Sequence, residues 1–220
     1  MGALHSMAHD YEYLRRTLDA MARRVQHALH DSLQALRRSD TIGAGQIIHD
    51  DPDINALQQD IEDLVARFIT QWQPVLRDLR RVLAILTVAG ELERIGDYAK
   101  QVASYVRRAK EDRHPLMMTT DLLEMGNMTE DILSTSIAAF LAEDPAAART
   151  VATFDDRIDA RRHEIIAAIR ETVLHDRSSL DAVIASIAIT HILERVADRA
   201  TNIAERTIYL ATAAHESLNE

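Results

Sequence analysis

Glu93 and Asp97 stand four residues apart, and Glu194 and Asp198 repeat the pair 101 positions later inside the same Glu-Arg-x-x-Asp string. On a helix this spacing puts both carboxylates on one face, one turn apart. There they repel each other unless a cation lies between them, and partial burial at a packed seam worsens the repulsion. A hard cation resolves it, because it prefers oxygen ligands and a helical bundle can bring more of them from neighbouring helices. Asp51 and Asp53 precede the first pair, and Asp155, Asp156 and Asp159 precede the second. A lone Glu-x-x-x-Asp is common on solvated helices, where Arg94 or Arg195 would pair with the acids. Its recurrence at one register of two otherwise diverged helices points instead to a site. The expected ligands are Glu93 and Asp97 with Asp51, and Glu194 and Asp198 with Asp155 and Asp159. Asn55 stands where the second half has Asp159, so the first site should hold metal less firmly. His191 lies one turn before Glu194, but Gly90 takes its place in the first half, so a histidine ligand is no part of the repeat. His27, His30, His49, His114, His163 and His175 show no convergent spacing and are expected on surfaces.

The elements that would position these acids are helices. Helical periodicity runs through nearly the whole chain, with breaks near Ser39-Asp40-Thr41, Gln73-Pro74, Arg113-His114-Pro115, Asp144-Pro145 and Asp176-Arg177-Ser178. Periodicity and stop signals give six helices at roughly 9–38, 42–71, 75–110, 117–142, 145–174 and 178–212. Asp144-Pro145 reads as an N-cap followed by Pro at the first helical position. Pro52 falls inside the second helix and should kink or divide it. The third helix carries an apolar face through Ile85, Leu92, Ala99 and Ala103. A second stripe alternates spacings of four and three through Leu79, Leu83, Leu86, Gly90, Glu93 and Asp97. The sixth helix repeats it as Leu180, Ile184, Ile187, His191, Glu194 and Asp198, with Asn202 one turn further on. A slightly different shift lays Asp51 and Ile54 on Asp155 and Ile158. Self-similarity at half the chain length indicates a duplicated three-helix unit. The fold class is therefore all-α: two tandem three-helix bundles, divided as 1–112 and 113–220.

Composition removes several functions. The 220 residues carry a formal net charge of −10, only 4% aromatics, 6 Gly, 4 Pro and no cysteine. Disulfides, thiolate metal sites and cysteine nucleophiles are excluded. Basic pairs such as Arg80-Arg81 and Arg161-Arg162 read as solvated helix faces, so nucleic-acid binding is not expected. No apolar run is long enough to span a bilayer, and Met1 through Ser6 does not read as a signal peptide. A Gly-rich phosphate loop, His-Glu-x-x-His and Gly-x-Ser-x-Gly are all missing. A carboxylate-bridged di-metal enzyme is the main rival reading, but that class uses paired Glu-x-x-His motifs which this chain lacks. A metal-free helical scaffold is the third.

Leu92-Glu93-Arg94-Ile95-Gly96-Asp97-Tyr98-Ala99 and Leu193-Glu194-Arg195-Val196-Ala197-Asp198, continuing through Asn202-Ile203-Ala204-Glu205, resemble the paired Leu-Glu-Arg-Ile-Gly-Asp signatures of the PhoU family of phosphate-uptake regulators. The similarity extends to Pro74 with Asp78-Leu79-Arg80 and to Met21 through Asp40, and so covers nearly the whole chain. Ala197 departs from the second signature's Gly, and Gln101 stands where Asn is usual. The resemblance implies two three-helix bundles in tandem. It also implies a non-enzymatic negative regulator of phosphate uptake and of phosphate-starvation transcription. Such a regulator would be a cytoplasmic homodimer, held at the inner face of the membrane by protein partners, the phosphate transporter's ATPase and a sensor histidine kinase, without inserting into lipid. Some members bind metals (iron, zinc, magnesium or manganese are the candidates) through the repeated acidic motifs, which here are Glu93, Asp97, Glu194 and Asp198.

Overall fold

The computed structural model describes residues 6–111, 120–175 and 180–218, with side chains described for 6–111, 120–171 and 180–218. Every regular element among them is a helix: α1 (Met7–Arg38), α2 (Thr41–Trp72), α3 (Leu76–Glu111), α4 (Thr120–Ala142), α5 (Pro145–Arg149), α6 (Val151–His175) and α7 (Leu180–Thr212). The breaks expected at Arg113-His114-Pro115 and Asp176-Arg177-Ser178 lie outside the described residues.

The turn that follows α1 and the turn that follows α4 use the same device. Ser39 adopts a left-handed conformation with φ 51°, and Asp40 N–H then donates back to the Ala35 carbonyl at 2.9 Å. The Asp40 carboxylate next accepts from the amides of Ile42 and Gly43, capping α2. Glu143, also at φ 51°, and Asp144 repeat every step: Asp144 N–H reaches the Ala139 carbonyl at 2.9 Å, and its carboxylate caps Ala146 and Ala147. The duplication is thus written into the turns as well as the helix faces.

Two helical expectations need correcting. Pro52 does not divide its helix, since α2 runs unbroken from Thr41 to Trp72 around it. Pro52 sits on the exposed side of α2, where water can satisfy the carbonyl its missing N–H leaves free. The second half is divided instead, at Thr150, where one helix was expected over 145–174. Thr150 N–H and hydroxyl both turn back to the Ala147 carbonyl, at 3.1 and 2.7 Å, and Thr153 bonds to Thr150. Those local bonds compete with the i→i−4 ladder and end α5 after five residues.

Helices α1, α2 and α3 pack on one another, as do α4, α6 and α7, with the short α5 against α7. The two bundles meet through α3 against α7 and α1 against α4. Glu91 meets Arg199 and Asn202, whereas Tyr98 meets Arg195, so α3 and α7 run antiparallel. The buried side chains form one connected core spanning both bundles, from Leu14, Met21 and Phe68 through Leu92 and Ala99 to Met125, Ile165, Leu193 and Ala204. The face predicted on α3 is correct: Ile85, Leu92, Ala99 and Ala103 are all buried. Small residues let helices approach closely. A Cβ on Gly96 would come within 3.0 Å of Ile54 Cδ1, and one on Gly126 within 3.1 Å of Leu33 Cδ2.

Candidate functional site

The two acidic stripes do not face each other across the α3–α7 contact. Each turns toward the second helix of its own bundle, so the acids line two seams, α2–α3 and α6–α7. The apolar ends of the stripes stay open: Leu83 on α3 and Leu180, Ile184 and Ile187 on α7 are exposed.

In the α2–α3 seam, Gly96 sits one position before Asp97 and brings Ile54 of α2 against the α3 backbone. That close approach places Asp51, one turn before Ile54, over the acids of α3. Asp51 is 4% exposed. Its Oδ2 accepts from Lys100 Nζ at 2.6 Å, and the same ammonium lies 3.7 Å from Asp97 Oδ1. Asp51 Oδ1 is buried without a hydrogen-bond partner. Burial pushes the Glu93 carboxyl above its ordinary range, with the charges of Asp97 and Asp51 adding to the effect against Arg94 and Lys100. Asp53 points elsewhere and pairs with Arg24 of α1 at 2.7 Å.

The α6–α7 seam is more acidic. Asp155 is pushed up to about 6 by burial and by the charges of Asp159, Asp198 and Asp156, against a hydrogen bond from Thr201 Oγ1 at 3.2 Å. Burial also raises Asp198, with Glu194 next and Asp159 contributing. Among the described residues, none of Asp155, Asp159 and Asp198 forms an ion pair. Glu194 has company of a different kind. Arg162 Nε lies 3.8 Å from its Oε2, and His191 Nδ1 lies 2.6 Å away but out of line, so that Oε2 is buried without a hydrogen bond. His191 itself is mostly exposed, and so are His27, His30, His49 and His163, as expected. His114 and the His175 side chain lie outside the description.

No group of three or more His, Asp or Glu is already arranged to hold a metal among the described residues. The donor chemistry still suits a hard cation. The carboxylates supply oxygen donors, several of them raise one another's proton affinity, and buried oxygens of Asp51 and Glu194 lack hydrogen bonds, while Lys100 Nζ, Arg162 Nε and His191 Nδ1 face the same acids.

Sequence reasoning missed Lys100 and Thr201, although the signal was present. The alternation of four and three that yields Glu93 and Asp97 continues one step to Lys100, and on α7 to Thr201. Asn202, placed on the stripe from its spacing, belongs to the bundle–bundle contact, where its Nδ2 donates to Glu91 Oε2 at 3.3 Å. Glu143 was missed as well. It ties the bundles together by accepting from Tyr11, Arg77 and Arg81 at 3.4, 3.2 and 3.0 Å.

Comparison with known proteins follows the duplication. The sequence model of the PhoU domain matches twice, over residues 18–106 and 122–207. A phosphate-specific transport system accessory protein PhoU homolog of Clostridium acetobutylicum is 29% identical over 212 residues, covering 96% of each chain. A homolog of the same description from Zymomonas mobilis is 32% identical over 201 residues, covering 90% of this chain and 84% of its own. The crystal structure of the phosphate transport system regulatory protein PhoU from Streptococcus pneumoniae superposes with a TM-score of 0.88 at 28% identity, over 96% of this chain and 100% of that one. PhoU from Pseudomonas aeruginosa gives 0.90 at 27%, over 95% and 100%. With both family matches falling on the two helical bundles and relatives aligned end to end, the chain belongs to the PhoU domain family.

Proposed function

We propose that this chain is a non-enzymatic accessory regulator of phosphate transport. It restrains phosphate uptake and the phosphate-starvation response. The observation that carries this reading is the full-length alignment with relatives named as accessory proteins of the phosphate-specific transport system. In this reading, a cytoplasmic homodimer links the transporter's ATPase to a sensor histidine kinase at the inner face of the membrane. The lack of a bilayer-crossing helix among the described residues supports attachment through protein contacts rather than insertion. The net charge of −10 disfavours anionic lipid directly. The repeat units are 1–112 and 113–220.

The carboxylate seams are the proposed metal sites. Asp155, Asp159, Glu194 and Asp198 would hold a divalent or trivalent ion in the second half. Asp51, Glu93 and Asp97 would do so more weakly in the first, where Asn55 offers a neutral oxygen. Bound metal would supply local positive charge in an acidic protein, and with it a place for an anion. The chain's own part is to align the acids along α3 and α7 and to partly desolvate them against α2 and α6.

Deletion of the gene in the source cell tests the regulatory reading. Phosphate-starvation transcripts should rise at high external phosphate, and complementation should return them to baseline. Transcripts unchanged by deletion at high phosphate would reject the role.

A further inference from the structure

The two seams answer the same electrostatic problem with different residues. The first places three carboxylates, Asp51, Glu93 and Asp97, around Lys100. The second has four, Asp155, Asp159, Glu194 and Asp198, and Thr201, bonded to Asp155, stands at the register that Lys100 holds in the first. Lys100 Nζ touches Asp51 at 2.6 Å and lies 3.7 Å from Asp97, so it occupies the space between α2 and α3 that an ion bridging those acids would need. Thr201 gives Asp155 only a hydroxyl hydrogen bond at 3.2 Å and no charge. An ion held by Asp51 and Asp97 would be in contact range of a like-charged ammonium in a partly desolvated seam.

We infer that Lys100 is a built-in counter-cation that keeps metal out of the α2–α3 seam, leaving the α6–α7 seam to take it. The weaker first site proposed above thereby becomes a closed one. The part of the inference concerning α6–α7 rests on the metal reading of that seam, whereas the part concerning Lys100 does not. Removing the ammonium would expose two oxygens of Asp51, since Oδ1 has no hydrogen-bond partner now. Those two, with Glu93 and Asp97, would form an all-oxygen donor set.

The test is Mn2+ titration of the full chain, with free ion counted by electron paramagnetic resonance. Manganese is chosen because it favours carboxylate oxygen. Wild type should take up one ion per chain, and Asp155→Asn/Asp198→Asn should lose it. Lys100→Thr should take up two, and Lys100→Thr/Asp51→Asn should return to one. Lys100→Arg, which keeps the charge, should stay at one. Equal uptake by Lys100→Thr and wild type overturns the inference. So does wild-type uptake that Asp51→Asn abolishes. If wild type binds nothing while Lys100→Thr binds one ion, the α6–α7 metal reading fails and the role of Lys100 stands. Lys100→Thr also strips a buried aspartate of its partner, so each variant is first shown to keep its native circular dichroism. Lys100→Gln, which removes the charge but leaves Asp51 a donor, should likewise take up two ions, and uptake by folded Lys100→Gln equal to that of wild type overturns the inference.

Discussion

Two glycines six residues apart on α3 should respond to alanine with opposite signs. Gly90 has nothing within 4 Å of a built Cβ, and its φ is negative. Alanine there gains helix propensity alone, about 0.8–1 kcal/mol in stability. Gly96 gains the same intrinsic amount but drives its methyl to 3.0 Å from Ile54 Cδ1 and 3.3 Å from Ile54 Cγ2. Both side-chain carbons belong to a buried β-branched residue with few alternative rotamers, so Ile54 or the α2 backbone must give by a few tenths of an ångström, at about 1–3 kcal/mol. The net for Gly96→Ala is a loss of about 1 kcal/mol, or roughly 2–4 °C in Tm for a chain of this size. Ile54→Val removes the nearest carbon and should recover part of that loss in the double variant, giving a non-additive cycle. Urea unfolding midpoints at a shared m-value measure all four proteins. Gly96→Ala as stabilising as Gly90→Ala, or a strictly additive cycle with Ile54→Val, would refute the close α2–α3 approach. It would also remove the reason Asp51 reaches the acids of α3.

Three further outcomes follow from the same geometry. Asp155 has a folded pKa of about 6 against an ordinary 3.8, so its charge penalises the fold above pH 6, progressively less as pH falls toward 4, and not at all below both values. Asp155→Asn in metal-free buffer should therefore stabilise the chain at pH 7.5 by about 1 kcal/mol, after discounting the half-exposed side chain for solvent screening, and should be neutral near pH 4; equal effects at both pH values would contradict the burial argument. Glu143→Ala strands Tyr11, Arg77 and Arg81 at the join of the bundles and should cost about 2 kcal/mol. In the same variant the Tyr11 phenol, now pushed up to about 12 by burial and Glu143, should titrate lower by ultraviolet absorbance. Asp40→Ala and Asp144→Ala each remove a cap that satisfies two amides, and each should lower stability by about 1 kcal/mol in thermal melts.

The two halves share a plan and differ where their helices press closest. Asp40 and Asp144 open the stretches that lead to Asp51 and Asp155 with the same αL-then-aspartate turn. Beyond that turn the paths part. The first half keeps α2 whole, with Gly96 admitting Ile54, and buries Asp51 so deeply that an ammonium accompanies it. The second half breaks after Arg149, has the larger Ala197 where Gly96 stands, and leaves Asp155 half-buried with only a hydroxyl partner. Depth of burial and the available counter-charge therefore change together. A carboxylate as enclosed as Asp51 costs too much to leave unpaired, whereas one as open as Asp155 can wait for solvent or an ion.

How far the sequence leads depends on which physical signal is local. Helix type, the α3 core face and the duplicated acids are legible because a 3.6-residue period writes them into the order of residues itself. The break at Thr150 is not legible, because threonine is tolerated inside helices. Only the observed bonds from its amide and hydroxyl to Ala147 show that it ends one here. Pro52 does not divide α2, since on an exposed face water can take the place of its missing donor. Asn202 shows the limit of stripe reading. Residues three and four apart share a side of a helix, but α7 is packed against α3, α4, α5 and α6, and spacing does not say which one a polar group will meet. Lys100 and Thr201 lie one step along the same stripe as the acids, yet their partners Asp51 and Asp155 stand 49 and 46 positions away. The charge balance of each seam is set across two helices. It becomes readable only once Ile54 is seen against Gly96, because that contact decides which carboxylate of α2 faces which cation of α3.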